Sequence, residues 1–260
     1  MQDAVGLFFL GTAGCGKSTL AAALAGWLDE RGYPFQLINL DPGADLIPYE
    51  PDIDVRDWIT LADVMEEYGL GPNGAQIVAA DMLALHSSKI RSLLDMSEGR
   101  YLLFDTPGQM ELFTFRESSR HIVGELCDRS FLVYIVDPFN SKTPSGFISQ
   151  LVFSSLARMR FLSPSLEVLS KSDMIDEETM EKIRRWQISN ENLDMDMLEE
   201  TRRNPSMSNE LSMSICRALE DLGIISGVFP ISSATGEGLQ RIYEVVQLTY
   251  GGGEDISSPR

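Results

Sequence analysis

Positive charge is scarce in this sequence, and cysteine, histidine and long apolar runs are scarce too. The 260 residues include 21 lysines and arginines against 39 aspartates and glutamates, which gives a formal net charge of −18. A surface of this sign repels nucleic-acid phosphates and anionic lipid headgroups. The charge balance therefore argues against direct binding to nucleic acid or to a membrane.

The few cysteines and histidines form no metal or disulfide pattern. Cys15, Cys127 and Cys216 lie far apart and lack the paired spacings of disulfide frameworks and zinc sites. His86 and His121 fit surface or half-buried helical positions better than metal ligation. A reducing compartment is the simplest setting for these residues.

No apolar run approaches the length of a membrane span, and the polar residues 1–3 do not resemble a secretory signal. Hydrophobic residues make up 43% and charged residues 23% of the chain, which is ordinary for a globular protein. We expect a cytoplasmic protein with a sizeable core.

Short apolar runs alternate with helical stretches along most of the chain. The predicted strands lie at 4–10, 35–40, 101–104, 131–136, 166–170 and 227–232. The predicted helices lie at 17–31, 57–68, 74–96, 111–126, 144–160 and 236–249. This alternation predicts an α/β fold of three layers, with a mainly parallel central sheet flanked by helices and a ligand edge at the carboxyl ends of the strands.

One domain is predicted over 1–250, with a disordered tail at 251–260. The acidic, methionine-rich segment 174–222 predicts a helical insertion. Its apolar positions are Met180, Ile183, Trp186, Leu193, Met197, Leu211 and Ile215. Both a covering subdomain and a groove for a partner's apolar segment fit this pattern.

The stretch LGTAGCGKSTLA matches the pattern G-x-x-x-x-G-K-[ST] between a predicted strand and a predicted helix. Its glycines let successive amides face phosphate oxygens, Lys17 would reach the β- and γ-phosphates, and the Ser18 hydroxyl would bind Mg²⁺. A plain glycine turn is the alternative. The nucleotide-binding residues predicted in this loop are Gly11, Thr12, Ala13, Gly14, Cys15, Gly16, Lys17, Ser18 and Thr19.

Two aspartates follow strands at the edge of the sheet that holds this loop. Asp41 lies in NLDPGA and Asp105 in LLFDTPGQ. A lone aspartate at such a position often caps a helix, but two beside a phosphate loop favour Mg²⁺ binding, together with Ser18. In the same segment the Gly108 amide could contact a γ-phosphate and Gln109 could orient the attacking water.

The base site is predicted from SKSD at 170–173 and ISSATGEG at 231–238. Asp173 can accept hydrogen bonds from N1 and N2 of guanine, Lys171 can lie over the ring, and the Ala234 amide, beside Ser233, can meet O6. Adenine would leave the carboxylate unpaired, so GTP is favoured over ATP. The usual pattern is Asn-Lys-x-Asp, and Ser170 replaces the asparagine with a shorter side chain.

Roughly sixty residues separate the strand before Asp41 from the strand before Asp105, a crossover long enough for parallel pairing. This spacing favours the dimerising branch of P-loop proteins over a Ras-like arrangement.

The chain resembles the GPN-loop GTPases. The resemblance rests on GTAGCGKST, NLDPGADLIPYEPDIDVRDWI, GLGPNGA, DTPGQMELF, SKSD and SSATGEG, in the order of that family. The family is named for the GPN tripeptide, here Gly71-Pro72-Asn73, within a segment at about 57–97.

The resemblance implies a homodimer, or a heterodimer in some relatives, in which each GPN loop enters the partner's nucleotide site. It makes Asn73 a trans-acting residue at the γ-phosphate, working with Lys17, Asp105 and Gln109. Thr12 stands where relatives with a deviant phosphate loop carry a second lysine, and no arginine finger is evident, so modest turnover is expected. Eukaryotic members are associated with RNA polymerase assembly, and the short tail suggests a prokaryotic, archaeal relative.

Two other functions remain open at this point. A P-loop kinase would share Lys17 and Ser18, although DTPGQ and SKSD argue against it. A non-catalytic assembly chaperone would use GTP as a conformational ligand and bind a client through the insertion.

Overall fold

Seven parallel strands form the sheet in the part of the chain that the structure describes. The structure is a computed structural model that describes residues 4–96, 100–114, 116–203, 209–221 and 224–252. The strands are β1 Val5–Leu10, β2 Phe35–Asn39, β3 Ile53–Asp54, β4 Tyr101–Asp105, β5 Ser130–Val136, β6 Ser165–Leu169 and β7 Phe229–Pro230. Their order across the sheet is β3-β2-β4-β1-β5-β6-β7.

The helices cover both faces of this sheet. In the described residues they are α1 Lys17–Glu30, α2 Leu61–Tyr68, α3 Pro72–Leu85, α4 Ser87–Leu93, α5 Met110–Thr114, α6 Glu117–Leu126, α7 Pro144–Phe161, α8 Glu177–Ile188, α9 Asn190–Arg203, α10 Asn209–Asp221 and α11 Leu239–Tyr250. Short 3-10 helices lie at Val55–Asp57, Ser172–Met174 and Ile225–Gly227. The predicted three-layer P-loop fold is confirmed.

The predicted pairing of the strands before the two aspartates is also confirmed. β2 pairs with β4 in parallel, and Asn39 is in register with Asp105. The chain between them passes through α2, α3 and α4, which supplies the crossover that parallel neighbours require. The aspartates therefore lie at the same edge of the sheet.

Several predicted helix boundaries were wrong. The helix predicted at 57–68 begins at Leu61, because the Thr60 hydroxyl accepts a hydrogen bond from the Asp63 amide and caps it. The helix predicted at 74–96 begins earlier, at Pro72, and breaks at His86 into α3 and α4. The helix predicted at 111–126 is divided into α5 and α6, because Arg116 has extended backbone.

Two strand predictions also failed. The two-residue β3 was missed because so short a segment carries no alternation of its own. The strand predicted at 227–232 shortens to Phe229–Pro230, because a 3-10 helix occupies Ile225–Gly227 and the chain turns again after Ile231.

The predicted insertion at 174–222 forms helices α8, α9 and α10. Ile183, Trp186, Leu193 and Met197 are buried in the same apolar cluster as one face of the sheet, and Trp186 packs on Phe147 of α7 with ring centroids 5.5 Å apart. The side chain of Leu211 and residues 253–260 of the predicted tail lie outside the described part of the chain. Among the described helices, none is both long and apolar enough to cross a membrane.

Candidate functional site

The loop between β1 and α1 follows a tightly curled path, which its glycines permit. Gly11, Gly14 and Gly16 all have positive φ, at 153°, 76° and 106°, a region that side chains disfavour. A Cβ at Gly11 would lie 2.7 Å from the Ile135 carbonyl oxygen. The glycines of the motif are therefore required by the path of the loop as well as by access to phosphate.

Lys17 points back across this loop. It is nearly buried, and its Nζ donates to the carbonyl oxygens of Gly11 at 3.0 Å, Thr12 at 3.1 Å and Gly108 at 3.2 Å. These contacts hold a positive charge at the position where the motif requires it. They also link the phosphate loop to the DTPGQ segment.

A cavity of about 490 Å³ lies in front of the lysine. Its lining residues are Gly14, Gly16, Lys17, Ser18, Thr19, Asp41, Leu46, Ile47, Pro48, Thr106 and Gly108. It combines the start of α1, whose amides and dipole attract anions, with two of the predicted metal ligands, Ser18 and Asp41, whereas Asp105 is not among its lining residues. The arrangement suits a chain of phosphates bound along the loop.

Asp105 has the most perturbed carboxylate of this site. It is 1% exposed, and this burial raises its pKa to about 6, although hydrogen bonding from Ser18 and Tyr49 offsets part of the rise. The Tyr49 hydroxyl donates to Oδ2 at 2.7 Å. No group of the described chain makes a well-formed hydrogen bond to Oδ1.

Asp41 is held differently. Its Oδ1 accepts the Gly43 amide and its Oδ2 accepts the Gly108 amide, each at 2.8 Å. The Gly108 amide, predicted to contact a γ-phosphate, is thus bound to Asp41 here. Each oxygen of Asp41 accepts a backbone amide, whereas Oδ1 of Asp105 accepts no well-formed hydrogen bond within the described residues.

The oxygen atoms of this site suit a magnesium ion. A free carboxylate oxygen on Asp105 and the hydroxyl of Ser18 are hard oxygen ligands of the kind that Mg²⁺ takes, with phosphate oxygens and water completing its shell. The described residues contain no group of three or more histidine, cysteine, aspartate or glutamate side chains placed to hold a metal ion by themselves, and a phosphate-bound Mg²⁺ does not need one. The assignments of Ser18, Asp41 and Asp105 as ligands stay predictions.

A network under the Asp41 loop was missed by sequence reasoning. Asn39 is fully buried, accepts the Asp41 amide at 3.0 Å and donates to Asp54 Oδ1 at 2.9 Å. Arg56 forms a bidentate pair with Asp54. Burial alone would raise the pKa of Asp54, but the hydrogen bonds from Arg56 lower it overall. This network fixes where the chain leaves β2.

The predicted base-reading residues meet at the other end of the phosphate loop. Lys171 has positive φ of 52°, and its Nζ donates to the Gly14 carbonyl at 2.8 Å. Asp173 Oδ1 accepts the Ser232 hydroxyl at 2.6 Å, and Ser232 in turn accepts the Thr235 amide. The half-buried Ser233 and the exposed Ala234 follow directly in the same turn.

Ser170 replaces the usual asparagine without losing its connection to the phosphate loop. It is almost fully buried, and its hydroxyl donates to the Cys15 carbonyl at 2.8 Å. Cys15 is buried as well, and burial raises the pKa of its thiol. The short side chain reaches because β6 ends directly beside the loop.

Two predicted residues lie elsewhere. Gln109 is exposed on an adjoining cavity of about 260 Å³ that shares Asp41 and Gly108 with the phosphate cavity and that Gln76 of α3 also lines. Asn73 is exposed in the first turn of α3 and does not line the phosphate cavity of its own chain. Tyr49 was missed as a site residue, since a single tyrosine in a proline-rich loop carries no spacing signal.

Comparison with known proteins covers almost the whole chain. Residues 9–251 match the family described as a conserved hypothetical ATP-binding protein. A GPN-loop GTPase of Pyrococcus abyssi is 32% identical over 234 residues, which cover 89% of this chain and 92% of that protein. GPN-loop GTPase 3 of Yarrowia lipolytica is 34% identical over 231 residues, covering 85% and 83%.

A longer relative and a solved structure agree with these matches. GPN-loop GTPase 1 of Dictyostelium discoideum is 31% identical over 256 residues, and the chain spans 62% of that protein's length. The crystal structure of a GTPase in apo form from Pyrococcus abyssi superposes with a TM-score of 0.83 at 30% identity, covering 95% of this chain and 97% of that one. The predicted resemblance is confirmed, and the chain belongs to the GPN-loop GTPase family.

Proposed function

We propose that this GTPase is a magnesium-dependent switch whose active site is completed by a second copy of the chain. The observation that carries the proposal is the position of Asn73, which is exposed at the start of α3 and does not line the phosphate cavity of its own chain. Gly71 caps this helix without a side-chain hydrogen bond, and Pro72 occupies its first turn. The exposed amides of this turn suit an anion brought by a partner.

Within one chain, the phosphate loop and the DTPGQ segment would respond to GTP together. Lys17 would exchange its carbonyl partners for β- and γ-phosphate oxygens. The Gly108 amide would exchange the Asp41 carboxylate for a γ-phosphate oxygen, which releases Asp41 Oδ2. Gln109, next in the chain, would then orient the attacking water.

Ser18 and Asp105, with Asp41 once released, would hold Mg²⁺. When bound, the ion neutralises charge on the β- and γ-phosphates. The partner's Asn73 and α3 amides would stabilise the charge that develops at the γ-phosphate, a task that an arginine performs in other GTPases.

The base site supports guanine, although the matching family is described as ATP-binding. Asp173 keeps its orientation through Ser232, and a carboxylate accepts from N1 and N2 of guanine, whereas adenine offers no matching pair of donors. Replacing Asp173 by asparagine would put an amide donor opposite O2 of xanthine. Asp173→Asn is therefore expected to weaken GTP binding and to strengthen binding of xanthosine triphosphate.

Phosphate release tests the catalytic assignment. Wild type is expected to hydrolyse GTP and not ATP, with strong losses in Lys17→Ala and Gln109→Leu. The half-buried Lys182, which pairs with Glu178 on α8 and lies outside the phosphate cavity, offers a matched control, Lys182→Ala. Hydrolysis of ATP alone would contradict the base assignment, and phosphoryl transfer only with an added acceptor would indicate a kinase.

A client-binding role is the second candidate, and exposed apolar residues on the insertion favour it. Ile188 is 84% and Met195 57% exposed, which is unusual for large apolar side chains within one short region. A chaperone for a complex such as RNA polymerase would bind its client there.

The test of this role uses surface substitutions, because Trp186 and Ile183 of the insertion are buried in the core. Ile188→Glu with Met195→Glu should abolish binding to purified polymerase subunits and leave GDP affinity unchanged. Met159→Glu, on α7 and 71% exposed, is the control. Unchanged binding by the double variant would count against the insertion as the client site.

A further inference from the structure

The loop between β2 and β3 places Tyr49 beside Asp105, one of the predicted magnesium ligands. The loop is fixed to β2 at both ends, because Asn39 accepts the Asp41 amide at 3.0 Å and the Asp52 carboxylate accepts the Leu37 amide at 2.7 Å. Tyr49 lies within it, next to Leu46, Ile47 and Pro48, which line the phosphate cavity. The path of the loop therefore determines what Tyr49 contacts.

The ring and the hydroxyl of Tyr49 have separate partners. The ring packs against the apolar layer between the sheet and α1. The hydroxyl donates to Asp105 Oδ2 at 2.7 Å. A phenylalanine would satisfy the packing, so the contact with Asp105 is what the hydroxyl adds.

This contact selects one orientation of the carboxylate. The backbone of Asp105 is fixed by β4, which pairs with β1 and β2, but rotation about the bond to the carboxyl group is intrinsically broad. A hydrogen bond to Oδ2 restricts that rotation. Oδ1 is buried and accepts no well-formed hydrogen bond within the described residues, although the Ser18 hydroxyl also interacts with this carboxyl. Oδ1 is therefore the oxygen for which a cation beside Ser18 would supply the missing partner.

We propose that Tyr49 is a positioning residue for metal binding, which holds the Asp105 carboxylate so that Oδ1 faces a divalent cation beside Ser18. The inference rests on the magnesium site of the proposed function. It adds a residue outside the phosphate-loop and DTPGQ motifs to that site. Residues that orient metal ligands through hydrogen bonds commonly change metal affinity by a factor of about 10 or more.

The test measures metal binding directly, with Mn²⁺ as the probe. The protein–GDP complex is titrated with Mn²⁺, and free Mn²⁺ is measured by electron paramagnetic resonance. Tyr49→Phe is expected to weaken Mn²⁺ binding about 10-fold. GDP affinity in the presence of EDTA should stay within about twofold of wild type, since the substitution keeps the ring and removes only the hydroxyl that hydrogen-bonds Asp105.

Tyr250→Phe is the matched control. The Tyr250 hydroxyl also donates over 2.7 Å, to the carbonyl of Ser130 at the amino end of β5, the opposite edge of the sheet. Both variants keep the ring and lose one hydrogen bond, so similar small falls in melting temperature are expected. Only Tyr49→Phe should change Mn²⁺ affinity.

The possible outcomes distinguish failure of this inference from failure of the proposed function on which it rests. Mn²⁺ affinity of Tyr49→Phe equal to wild type would overturn the positioning role. Tighter binding would also overturn it, because the hydroxyl would then compete with the metal for Asp105. If the wild-type complex binds no more Mn²⁺ than free GDP does, the magnesium site itself fails, and the role of Tyr49 fails with it.

Discussion

Asp105 shows how one residue can serve the site at the expense of stability. Its pKa is raised by burial to about 6, above the value expected in an unfolded chain. The folded protein therefore binds a proton more tightly than the unfolded one between about pH 4 and 6. The contribution of Asp105 to folding stability is therefore favourable at low pH and is lost as the pH rises through about 6.

This direction of the pH dependence leads to a prediction for the stability of the nucleotide-free protein in EDTA. Asp105→Asn removes the buried charge and keeps an oxygen for Tyr49, so at pH 7.5 it should raise the free energy of unfolding by about 1–3 kcal/mol. The gain should shrink toward pH 4.5. Urea denaturation of both proteins at the two pH values measures it.

Equal stability of the two proteins at pH 7.5 would contradict this account of Asp105. The same variant should lose the binding of Mn²⁺ to the GDP complex. Stability and metal binding would thus change in opposite directions.

Ser170 carries a second prediction at this scale. Its hydroxyl is the tie between the base-reading segment and the Cys15 carbonyl of the phosphate loop. Ser170→Ala leaves that carbonyl buried without this donor, at a cost of about 1–2 kcal/mol, and GDP should bind several-fold more weakly. Fluorescence titration with a labelled GDP measures the change.

A serine with a purely helical hydrogen bond provides the comparison. Ser155 donates to the Leu151 carbonyl within α7 at 2.7 Å and lies outside the nucleotide site. Ser155→Ala should leave GDP affinity unchanged. If Ser170→Ala also binds GDP as wild type does, the asparagine position has no role in this chain.

At the scale of single elements, two helical glycines should respond to alanine in opposite ways. A Cβ at Gly146, in the first turn of α7, would lie 1.9 Å from the Asn140 carbonyl oxygen, whereas nothing lies within 4 Å of a Cβ at the exposed Gly124 of α6. Gly146→Ala should therefore destabilise the protein by about 2 kcal/mol or more. Gly124→Ala should stabilise it by about 0.5–1 kcal/mol.

Thermal unfolding of both variants tests this pair. The close approach at Gly146 arises because Thr143 caps α7 and the preceding turn folds back over its amino end. An unaltered melting temperature in Gly146→Ala would mean that this turn moves freely. A fall in Gly124→Ala would show that α6 is packed more closely than its exposure indicates.

Elements with their own periodicity could be predicted from the sequence, and those shaped by neighbours could not. β1 and β5 are continuous apolar runs buried on both faces, and their boundaries fall within a residue of the predicted ones. The break at His86 and the two-residue β3 depend on how the chain packs across α6 and β2. No local pattern marks either.

The residues of the candidate site likewise divide into those that could be predicted from the sequence and those that could not. Lys17, Asp105 and Asp173 were predicted because motif spacing fixes their place at the strand ends. Tyr49 and Ser232 were not predicted, because their roles follow from a loop path and a turn that bring a hydroxyl to a carboxylate. Motifs identify the groups that meet the ligand and leave out the groups that orient them.

At the scale of the whole molecule, the central feature is that Asn73 is exposed and does not line the phosphate cavity of its own chain. Gln109 belongs to the segment that contacts Lys17 and Asp41 through Gly108, and under the proposed function it would act within its own chain. Asn73 would act on the partner. A defect at Gln109 and a defect at Asn73 should therefore complement each other when they lie on different chains of one dimer.

Mixing two weakly active variants measures this directly. Gln109→Leu and Asn73→Ala are combined in equal amounts, and GTP hydrolysis is compared with each alone. Random pairing makes half of the dimers mixed, each with one intact site, so the mixture should reach about a quarter of wild-type turnover. Turnover equal to the average of the two separate variants would contradict a site shared between two copies of the chain.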